Sequence, residues 1–282
     1  MKTTRDADPC LDALLADARG SGLDRLDAEL LAAHVLGIAR SAVIAHPERR
    51  LTAQEAARIA ALHARRVAGE PFAQLVGRAG FHTLDLEITA DVLIPRADTE
   101  TLVDAVLERL PQTPLRGLDL GCGSGAVALA LAAARPSWSL VAVDLSPEAC
   151  ALTRRNAERL GLDERVEVRC GNWYEPVAGA CWDLIVSNPP YVADADPELE
   201  ADVRAHEPAQ ALFAGEDGLD ALRSILAAPP LAGGGLIAVE HGHSQGEAVR
   251  ALMAAASLED AATISDLAGR DRVTLARAPR HG

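Results

Sequence analysis

The sequence predicts an α/β protein: a mostly parallel, Rossmann-like sheet with helices on both faces, preceded by a small helical domain and a β-hairpin linker. From Glu100 onward, apolar segments of strand length alternate with segments of helical periodicity, as in sheets built from strand–helix–strand units. Before about Gly69, the apolar residues recur at helical spacing only. The predicted domains are residues 1–71 (helical), 72–98 (linker) and 99–282 (sheet).

The first domain is predicted to consist of helices. Its leucines and a valine recur three or four residues apart, which places them on one face of each helix. These positions are Leu11, Leu14 and Leu15, and then Leu26, Leu30, Leu31 and Val35. Thr52, followed three residues later by Glu55, is a capping-box pattern and begins a third helix. The apolar faces must pack on each other or on a partner.

The linker has a different texture. Residues 81–88 alternate apolar and polar side chains over most of their length, which is typical of a half-buried strand. The apolar segment 92–94 and then Pro95 and Arg96 follow. We interpret residues 72–98 as a hairpin-like connector. Arg96 either borders a substrate entrance or holds the helical domain in place.

The sheet domain contains strands and helices in regular succession. Strands are predicted at 115–120, 140–144, 166–170, 184–187, 236–240, 263–266 and 272–277, and helices at 126–134, 147–160, 219–227 and 247–256. This alternation implies a mostly parallel sheet with both faces covered. The glycines at 233–235 are interpreted as a loop before a strand, because no helix follows them to bind a phosphate.

Composition narrows the class of protein. The formal net charge is −14 and the pI is near 5.0, which disfavours binding to bare nucleic acid, whose phosphates require Lys and Arg. The five cysteines are scattered without metal-ligand spacing, so no metal site is predicted. The N-terminus lacks a signal-peptide pattern, and no apolar run reaches the length of a membrane span. The sequence therefore predicts a cytoplasmic protein without membrane contact.

The most informative motif is the tetrapeptide Asn188-Pro189-Pro190-Tyr191, hereafter the NPPY turn. It follows an apolar run that reads as a buried parallel strand, whose carboxyl end borders the ligand crevice of such a sheet. The two prolines stop the strand and stiffen the backbone. An amide side chain and an aromatic ring flank this stiff turn, an arrangement suited to holding a planar NH2 group.

A glycine-rich segment, 121–125, joins the first strand to the first helix of the sheet domain and is hereafter the glycine loop. Gly121, Gly123 and Gly125 permit a tight turn and a close approach of the backbone to a ligand. With Ala126, the loop also satisfies the dinucleotide fingerprint, so alone it does not separate NAD from S-adenosylmethionine.

Three residues outside the loop bear on that choice. Asp119 lies just before the glycines, where a carboxylate favours a cationic ligand such as S-adenosylmethionine. Asp144 ends the next strand and is suited to bonding both ribose hydroxyls of either cofactor. Trp173 follows the third strand of this domain, in a loop that borders an adenine pocket in doubly wound sheets.

Longer segments resemble the HemK/PrmC family, a family of class I S-adenosylmethionine-dependent methyltransferases. The stretch 92–100 is similar to that family's "VLIPRPETE" segment, and further similarities cover nearly the whole chain. These are Gly69-Glu70-Pro71-Phe72, Leu75-Val76-Gly77, Glu207-Pro208, Gly218-Leu219-Asp220, Glu240-His241-Gly242 with Gln245-Gly246, and Asp266 to Val273. Two positions depart from the pattern: Ala97 replaces a proline, and a tyrosine near Gln74 is absent.

The resemblance implies an activity and a set of site residues. Members of the family methylate the side-chain amide nitrogen, N5, of the glutamine in the Gly-Gly-Gln motif of bacterial class I peptide chain release factors. The implied cofactor is S-adenosyl-L-methionine and the product S-adenosyl-L-homocysteine. The predicted cofactor-binding residues are Asp119, Gly121, Cys122, Gly123, Ser124, Gly125, Asp144, Trp173 and Asn188, and the predicted substrate-binding residues are Asn188, Pro189, Pro190 and Tyr191.

The hypothesis for catalysis rests on the NPPY turn. The Asn188 side-chain oxygen and the Pro189 carbonyl each accept one N–H of the substrate glutamine, and Tyr191 packs against the flat amide. Positioning and electrostatics then make a weak nucleophile react, without a metal or a covalent intermediate. Glu240 either bounds the pocket or satisfies a loop.

Rival functions remain open on the sequence alone. Enzymes that methylate adenine N6 or guanine N2 use similar turns, because an exocyclic amine requires the same acceptors. A non-catalytic adaptor that binds S-adenosylmethionine is a second alternative, since a fold does not fix a function. An NAD-dependent oxidoreductase is a weaker third.

Overall fold

The structure, a computed structural model, describes residues 9–197 and 201–280. The chain divides into two compact units on either side of Gly77. In the described part of the chain, no helix combines the length and the apolar character needed to cross a membrane.

The first unit is helical, as predicted. Its helices are α1 (Leu11–Gly20), α2 (Arg25–Leu36), α3 (Arg40–Ala45), α4 (Ala53–Val67) and α5 (Phe72–Val76). The predicted capping box is confirmed: the Thr52 hydroxyl accepts from the Glu55 backbone N–H, and the Glu55 carboxylate accepts from that of Thr52. Leu11 and Ile59 are fully buried in the core of this unit.

The hairpin begins the second unit. Strands β1 (Arg78–Phe81) and β2 (Leu84–Glu87) pair antiparallel. The prediction of a single strand over 81–88 was therefore wrong, because the chain turns at His82 and Thr83. His82 adopts the left-handed conformation, with φ 54°, without the glycine or asparagine that usually marks such a turn.

The rest of the second unit is the predicted sheet with the four predicted helices and with three helices that were not predicted, Glu100–Arg109, Ala201–His206 and Ala209–Leu212. The strands are β3 (Leu115–Leu120), β4 (Trp138–Asp144), β5 (Val166–Cys170), β6 (Trp182–Ser187), β7 (Leu231–Glu240), β8 (Glu259–Ser265) and β9 (Asp271–Arg277). The helices are α6 (Glu100–Arg109), α7 (Ala126–Ala134), α8 (Pro147–Leu160), α9 (Ala201–His206), α10 (Ala209–Leu212), α11 (Asp220–Leu226) and α12 (Gly246–Ala255), with 3-10 turns at Ala97–Thr99 and Glu175–Val177.

The seven strands lie in the order β5-β4-β3-β6-β7-β9-β8. The first five run parallel, and β9 pairs antiparallel with both β7 and β8. The prediction of a mostly parallel sheet is confirmed. One detail differs: the glycines at 233–235 lie inside β7, where the pairing with β6 shifts register, and do not form a separate loop.

Side-chain alternation along the central strands divides the core between the two faces of the sheet. Leu184 and Val186 pack into one apolar cluster, and Ile185, between them, packs into the other. The first cluster includes Leu129 of α7, and the second includes Leu222 of α11. Because β3, β4 and β6 are parallel neighbours, the loops after them meet at one edge of the sheet.

Candidate active site

A cavity of about 660 Å³ opens at the carboxyl edge of the sheet. The loops after β3, β4, β5 and β6 line it, together with residues of the segments 90–99 and 205–211. Most of the predicted site residues line this single cavity: Asp119, Gly121, Cys122, Gly123, Ser124, Asp144, Trp173, Asn188 and Pro190. These residues come from four separate loops, which follow β3, β4, β5 and β6.

The glycine loop has the conformation that its composition implies. Gly121, Gly123 and Gly125 have φ values of +74°, +56° and +84°, in the left-handed region. A Cβ atom on Gly125, the N-cap of α7, would lie 2.8 Å from Thr153 Cγ2 and 2.9 Å from Leu129 Cδ1. Gly125 is therefore required for backbone conformation and for packing, although it is not among the residues that line the cavity.

The other two loop residues are held from α8. The buried Cys122 lies with its Sγ 3.5 Å from Thr153 Oγ1, and burial raises the pKa of this thiol well above its ordinary value. Ser124 is buried, and its carbonyl accepts a hydrogen bond from Asn156 Nδ2 at 3.0 Å. These contacts assign no chemical role to the side chains of Cys122 and Ser124.

Asp119 is a buried acid at the floor of the cavity. Its Oδ2 accepts a hydrogen bond from the Ala128 backbone N–H at 3.0 Å. Burial, with a smaller contribution from the charge of Asp144, raises the pKa of Asp119 to about 7. A cationic ligand at this position would favour the ionised form, so the site is suited to an ammonium group.

Asp144 joins the glycine loop to the end of β4. Its Oδ2 accepts from the Gly123 backbone N–H and its Oδ1 from that of Ser146, each at 2.9 Å. Burial raises the pKa of Asp144, and these backbone bonds act in the opposite direction. Each carboxylate oxygen retains a further acceptor site for a ligand hydroxyl.

Trp173 stands beside the glycine loop. It has a positive φ of 40°, which is uncommon for a bulky residue. Its ring atom Cζ3 would lie 3.6 Å from a Cβ atom built on Gly121, so the glycine leaves the ring room to approach the loop. Trp173 therefore lines the cavity beside the glycine loop, and its contact with an adenine ring stays a prediction.

These residues together fit S-adenosylmethionine. The cavity offers a glycine loop whose backbone a ligand can approach, the Asp144 carboxylate as an acceptor for hydroxyl groups, and the Trp173 ring. It also contains Asp119, a buried acid with a raised pKa, whose ionised form a cationic ligand would stabilise. Asp119, the glycine loop, Asp144 and Trp173 are the residues that would hold the cofactor.

Asn188 reaches the same cavity from the end of β6. Its Nδ2 donates a hydrogen bond to Thr99 Oγ1 at 3.0 Å. Its Oδ1 is buried and has no hydrogen-bond partner among the described residues. An unpartnered carbonyl oxygen in a side chain that lines a cavity is a ready acceptor for an N–H group.

Tyr191 anchors the other end of the NPPY turn. Its hydroxyl donates to Glu240 Oε1 at 3.1 Å, and its backbone carbonyl accepts from Gln245 Nε2 at 3.1 Å. Gly218 packs closely here, since a Cβ on it would lie 2.3 Å from the Tyr191 carbonyl oxygen. Within residues 9–197 and 201–280, the cavity lining includes Asn188 and Pro190, but neither Pro189 nor Tyr191.

Glu240 is a second buried acid, at the carboxyl end of β7. Burial raises its pKa to about 7, while the hydroxyls of Thr99 and Tyr191 and the charge of Arg272 lower it. Its Oε2 has no hydrogen-bond partner in the part of the chain that the structure describes. Tyr191, at one end of the NPPY turn, therefore bonds this carboxyl directly. Asn188, at the other end, bonds Thr99, whose hydroxyl is a neighbour of the same carboxyl.

Arg96 pairs with Glu207, which precedes α10 and lines the cavity. The carboxyl of Glu207 is almost fully buried, so its pKa is raised by burial and lowered by Arg96. Arg96 itself is not among the described residues that line the cavity and reaches it only through Glu207, so its role stays a prediction.

Three residues that hold the site together, Thr99, Gln245 and Asn156, were not among the predicted site residues, although Thr99 and Gln245 lie in segments that resemble the family. Asn156 donates through Nδ2 to the carbonyls of Ser124 and Glu87, each at 3.0 Å, and its Oδ1 accepts from the Glu87 N–H at 2.8 Å. It thus ties the glycine loop to β2. An asparagine inside a long helix is unfavourable unless its side chain makes such bonds, and Asn156 is buried in the helix Pro147–Leu160. Its position in the predicted helix 147–160 was the signal that the sequence contained.

Comparison with known proteins gives consistent results. A family model described as the PrmC N-terminal domain matches residues 12–77, and one described as the methyltransferase small domain matches residues 97–214. A protein of Xylella fastidiosa (strain Temecula1), named release factor glutamine methyltransferase, is 47% identical over 270 residues, covering 95% of this chain and 98% of the relative. A protein of the same name from Escherichia coli (strain K12) is 41% identical over 266 residues, covering 93% and 95%.

Solved structures share the fold. A methyltransferase from Pyrococcus furiosus superimposes with a TM-score of 0.53 at 17% identity, covering 77% of this chain and 97% of that one. At this identity the likeness concerns the fold alone, and it agrees with the class I methyltransferase fold that the sequence predicts.

Proposed function

This chain belongs to the family of release factor glutamine methyltransferases, and from that premise we propose how its site works. It is an enzyme that transfers a methyl group from S-adenosylmethionine to the side-chain amide nitrogen of a glutamine in peptide chain release factors. The observation that carries our assignment of the site is the Asn188 side chain. It lines the cavity beside the glycine loop and keeps its Oδ1 without a partner.

S-adenosylmethionine, when bound, would supply the methyl group, and its sulfonium sulfur would leave as the neutral thioether of S-adenosylhomocysteine. The chain's own contribution is to bind and orient. The Asn188 Oδ1 accepts one N–H of the glutamine amide, and the Pro189 carbonyl accepts the other. These two bonds direct the nitrogen lone pair and exclude other orientations of the amide. They strengthen as positive charge develops on nitrogen, which lowers the barrier.

Tyr191 holds the turn in this geometry. Its hydroxyl is bonded to Glu240 and its carbonyl to Gln245, so the backbone on the far side of Pro190 is fixed at two points. The packing of its ring against the substrate amide stays a prediction. We assign no general base, because a nitrogen that has gained a methyl group loses its proton readily.

The substrates that we propose are bacterial class I release factors, which place the enzyme in the cytoplasm. The helical domain, residues 1–71, is the candidate for recognising so large a partner, since it bears no residue of obvious catalytic type. The net charge of −14 supports a protein substrate over bare nucleic acid.

The central test is mass spectrometry of release factor after incubation with the enzyme and S-adenosylmethionine. We expect a gain of one methyl group on the Gly-Gly-Gln peptide, with no transfer to DNA or RNA. The Asn188→Ala variant should lose about 100-fold or more in kcat while its affinity for S-adenosylmethionine changes little. Cys181→Ala, an exposed position just before the other end of β6, serves as the control. Turnover of Asn188→Ala like that of the wild type would exclude the proposed role.

Each rival has its own signature in the same assay. Transfer to a nucleic acid in place of release factor would establish the base-modifying alternative. Tight cofactor binding without transfer to any translation protein would establish the adaptor. The role of the helical domain is tested with a shortened chain that begins at Arg78: we expect it to bind S-adenosylmethionine but not to methylate intact release factor.

A further inference from the structure

Thr99 lies 89 positions before Asn188 in the sequence and contacts it directly. It ends the 3-10 turn Ala97–Thr99, just before α6, and only 3% of its surface is exposed. Its Oγ1 accepts the hydrogen bond from Asn188 Nδ2 at 3.0 Å, and it also lines the cavity.

An asparagine amide has two ends of similar size and opposite function, a carbonyl oxygen that accepts and an NH2 group that donates. A half-turn of the amide exchanges them. Only the carbonyl end can receive an N–H of the substrate glutamine, because the NH2 end would oppose a donor to a donor. The orientation of the Asn188 amide is therefore decisive for the reaction.

A hydroxyl can either accept or donate a hydrogen bond, so it matters which of the two groups, the Thr99 hydroxyl or the Asn188 amide, is the donor. In the structure the Asn188 NH2 group is the donor and Thr99 Oγ1 the acceptor, and Asn188 Oδ1 has no hydrogen-bond partner among the described residues. The Glu240 carboxyl, whose pKa burial raises and the Thr99 hydroxyl lowers, is a second acceptor for the Thr99 hydroxyl hydrogen when it is ionised. The oxygen lone pairs of Thr99 are therefore the acceptor for the Asn188 NH2 group.

We propose that Thr99 is a positioning residue, which binds the NH2 end of Asn188 and leaves its carbonyl oxygen for the substrate. This inference rests on the role proposed above for Asn188. It assigns to the segment before α6 a part in orienting the glutamine, in addition to its place along the cavity wall.

The test compares two substitutions at Thr99. Thr99→Ser keeps the hydroxyl, whereas Thr99→Val keeps the shape and removes the acceptor. In Thr99→Val the productive orientation leaves a buried NH2 group without a partner, so we expect kcat to fall on the order of 10- to 100-fold. We expect Thr99→Ser to stay within about threefold of the wild type. Affinity for S-adenosylmethionine, measured by calorimetry, should be equal in all three.

A double-mutant cycle separates positioning from general damage. If Thr99 acts through Asn188, then Thr99→Val should have almost no further effect on kcat in the Asn188→Ala background. If Thr99→Val does not fold, as judged by its thermal melt and cofactor binding, Thr99→Ala takes its place. Wild-type kcat in Thr99→Val, or equal losses in the serine and valine variants, would overturn the proposal. An active Asn188→Ala would instead refute the proposed function of that residue.

Discussion

The hydroxyl of Tyr191 donates a hydrogen bond to Oε1 of the buried Glu240, 3.1 Å away, and joins the NPPY turn to the end of β7. Gln245 adds a second connection, since its Nε2 bonds the Tyr191 carbonyl and its Oε1 accepts from the Gly242 N–H. Asn188, at the other end of the turn, is bonded to Thr99. The turn that holds the substrate is thus supported from two sides by residues that a reading of the motif alone does not include.

Removing the Tyr191 hydroxyl should impair catalysis more than cofactor binding. In Tyr191→Phe, Glu240 Oε1 loses its partner in a buried site, so we expect a loss of about 1–3 kcal/mol in the free energy of unfolding. We also expect kcat to fall on the order of 10-fold, because the turn is less well fixed. Urea unfolding and steady-state methylation of release factor measure both.

Tyr174→Phe is the matched control for that substitution. The Tyr174 hydroxyl donates to the Ile225 carbonyl at 2.8 Å, beside the same apolar cluster, and among the described residues it makes no hydrogen bond to the NPPY turn. The Tyr174→Phe substitution should lower the free energy of unfolding by a similar amount and leave kcat unchanged. Equal turnover of the two phenylalanine variants would show that the bond to Glu240 is structural only.

The binding of S-adenosylmethionine should depend on pH through Asp119. Its pKa of about 7 in the ligand-free protein is raised chiefly by burial, and a bound cation favours the carboxylate. The pKa is therefore lower in the complex, so binding releases a proton below about pH 7. Affinity should rise with pH up to about 7, by at most tenfold per unit, and level off above it.

Calorimetry at pH 6, 7 and 8 measures this dependence, and buffers of different ionisation enthalpy report the proton. In Asp119→Asn the affinity should be lower and the dependence should disappear. A wild-type affinity that stays constant from pH 6 to 8 would mean that Asp119 does not face the cationic group.

Much of this fold was predictable, because its signals are local. The strands 115–120 and 166–170 and the helices 126–134 and 147–160 have the predicted bounds, since each is a single run of one periodicity. The glycine loop and the NPPY turn could be placed on one edge because the carboxyl ends of parallel strands share an edge.

The features that the sequence did not predict also have physical explanations. The turn at His82 has no glycine, and the short helices α9 and α10 are too brief to show a period. The pairs Asn188–Thr99 and Tyr191–Glu240 join positions 89 and 49 residues apart. Such pairings depend on the register of strands in the folded sheet, and no local pattern encodes them.

Loss of Arg96 should destabilise the protein in a pH-dependent way. Without it, the buried Glu207 carboxyl has no countercharge and its pKa, already raised by burial, rises further. A raised folded-state pKa means stability that is present below the unfolded pKa and lost as pH rises through the folded value. We expect Arg96→Ala to cost about 1–3 kcal/mol at pH 8 and clearly less at pH 5.

The double variant Arg96→Ala, Glu207→Gln removes the buried acid and is the control for charge. Its stability relative to the wild type should vary much less between the two pH values, as measured by urea unfolding. A cost of Arg96→Ala that is the same at pH 5 and pH 8 would assign Arg96 a packing role only.

Gly125→Ala should damage folding and cofactor binding together. The residue has φ +84°, and its new Cβ would meet Thr153 Cγ2 at 2.8 Å and Leu129 Cδ1 at 2.9 Å, both in packed surroundings. The left-handed conformation costs about 1–2 kcal/mol and the overpacking about 1–3 more. Because the glycine loop must shift to relieve the contact, affinity for S-adenosylmethionine should fall on the order of 10-fold. Gly161→Ala is the control, because Gly161 has φ +66° and its Cβ would have nothing within 4 Å. It should lose only the cost of the left-handed conformation in urea unfolding and should bind S-adenosylmethionine normally. Equal cofactor affinities of the two variants would contradict this role of Gly125.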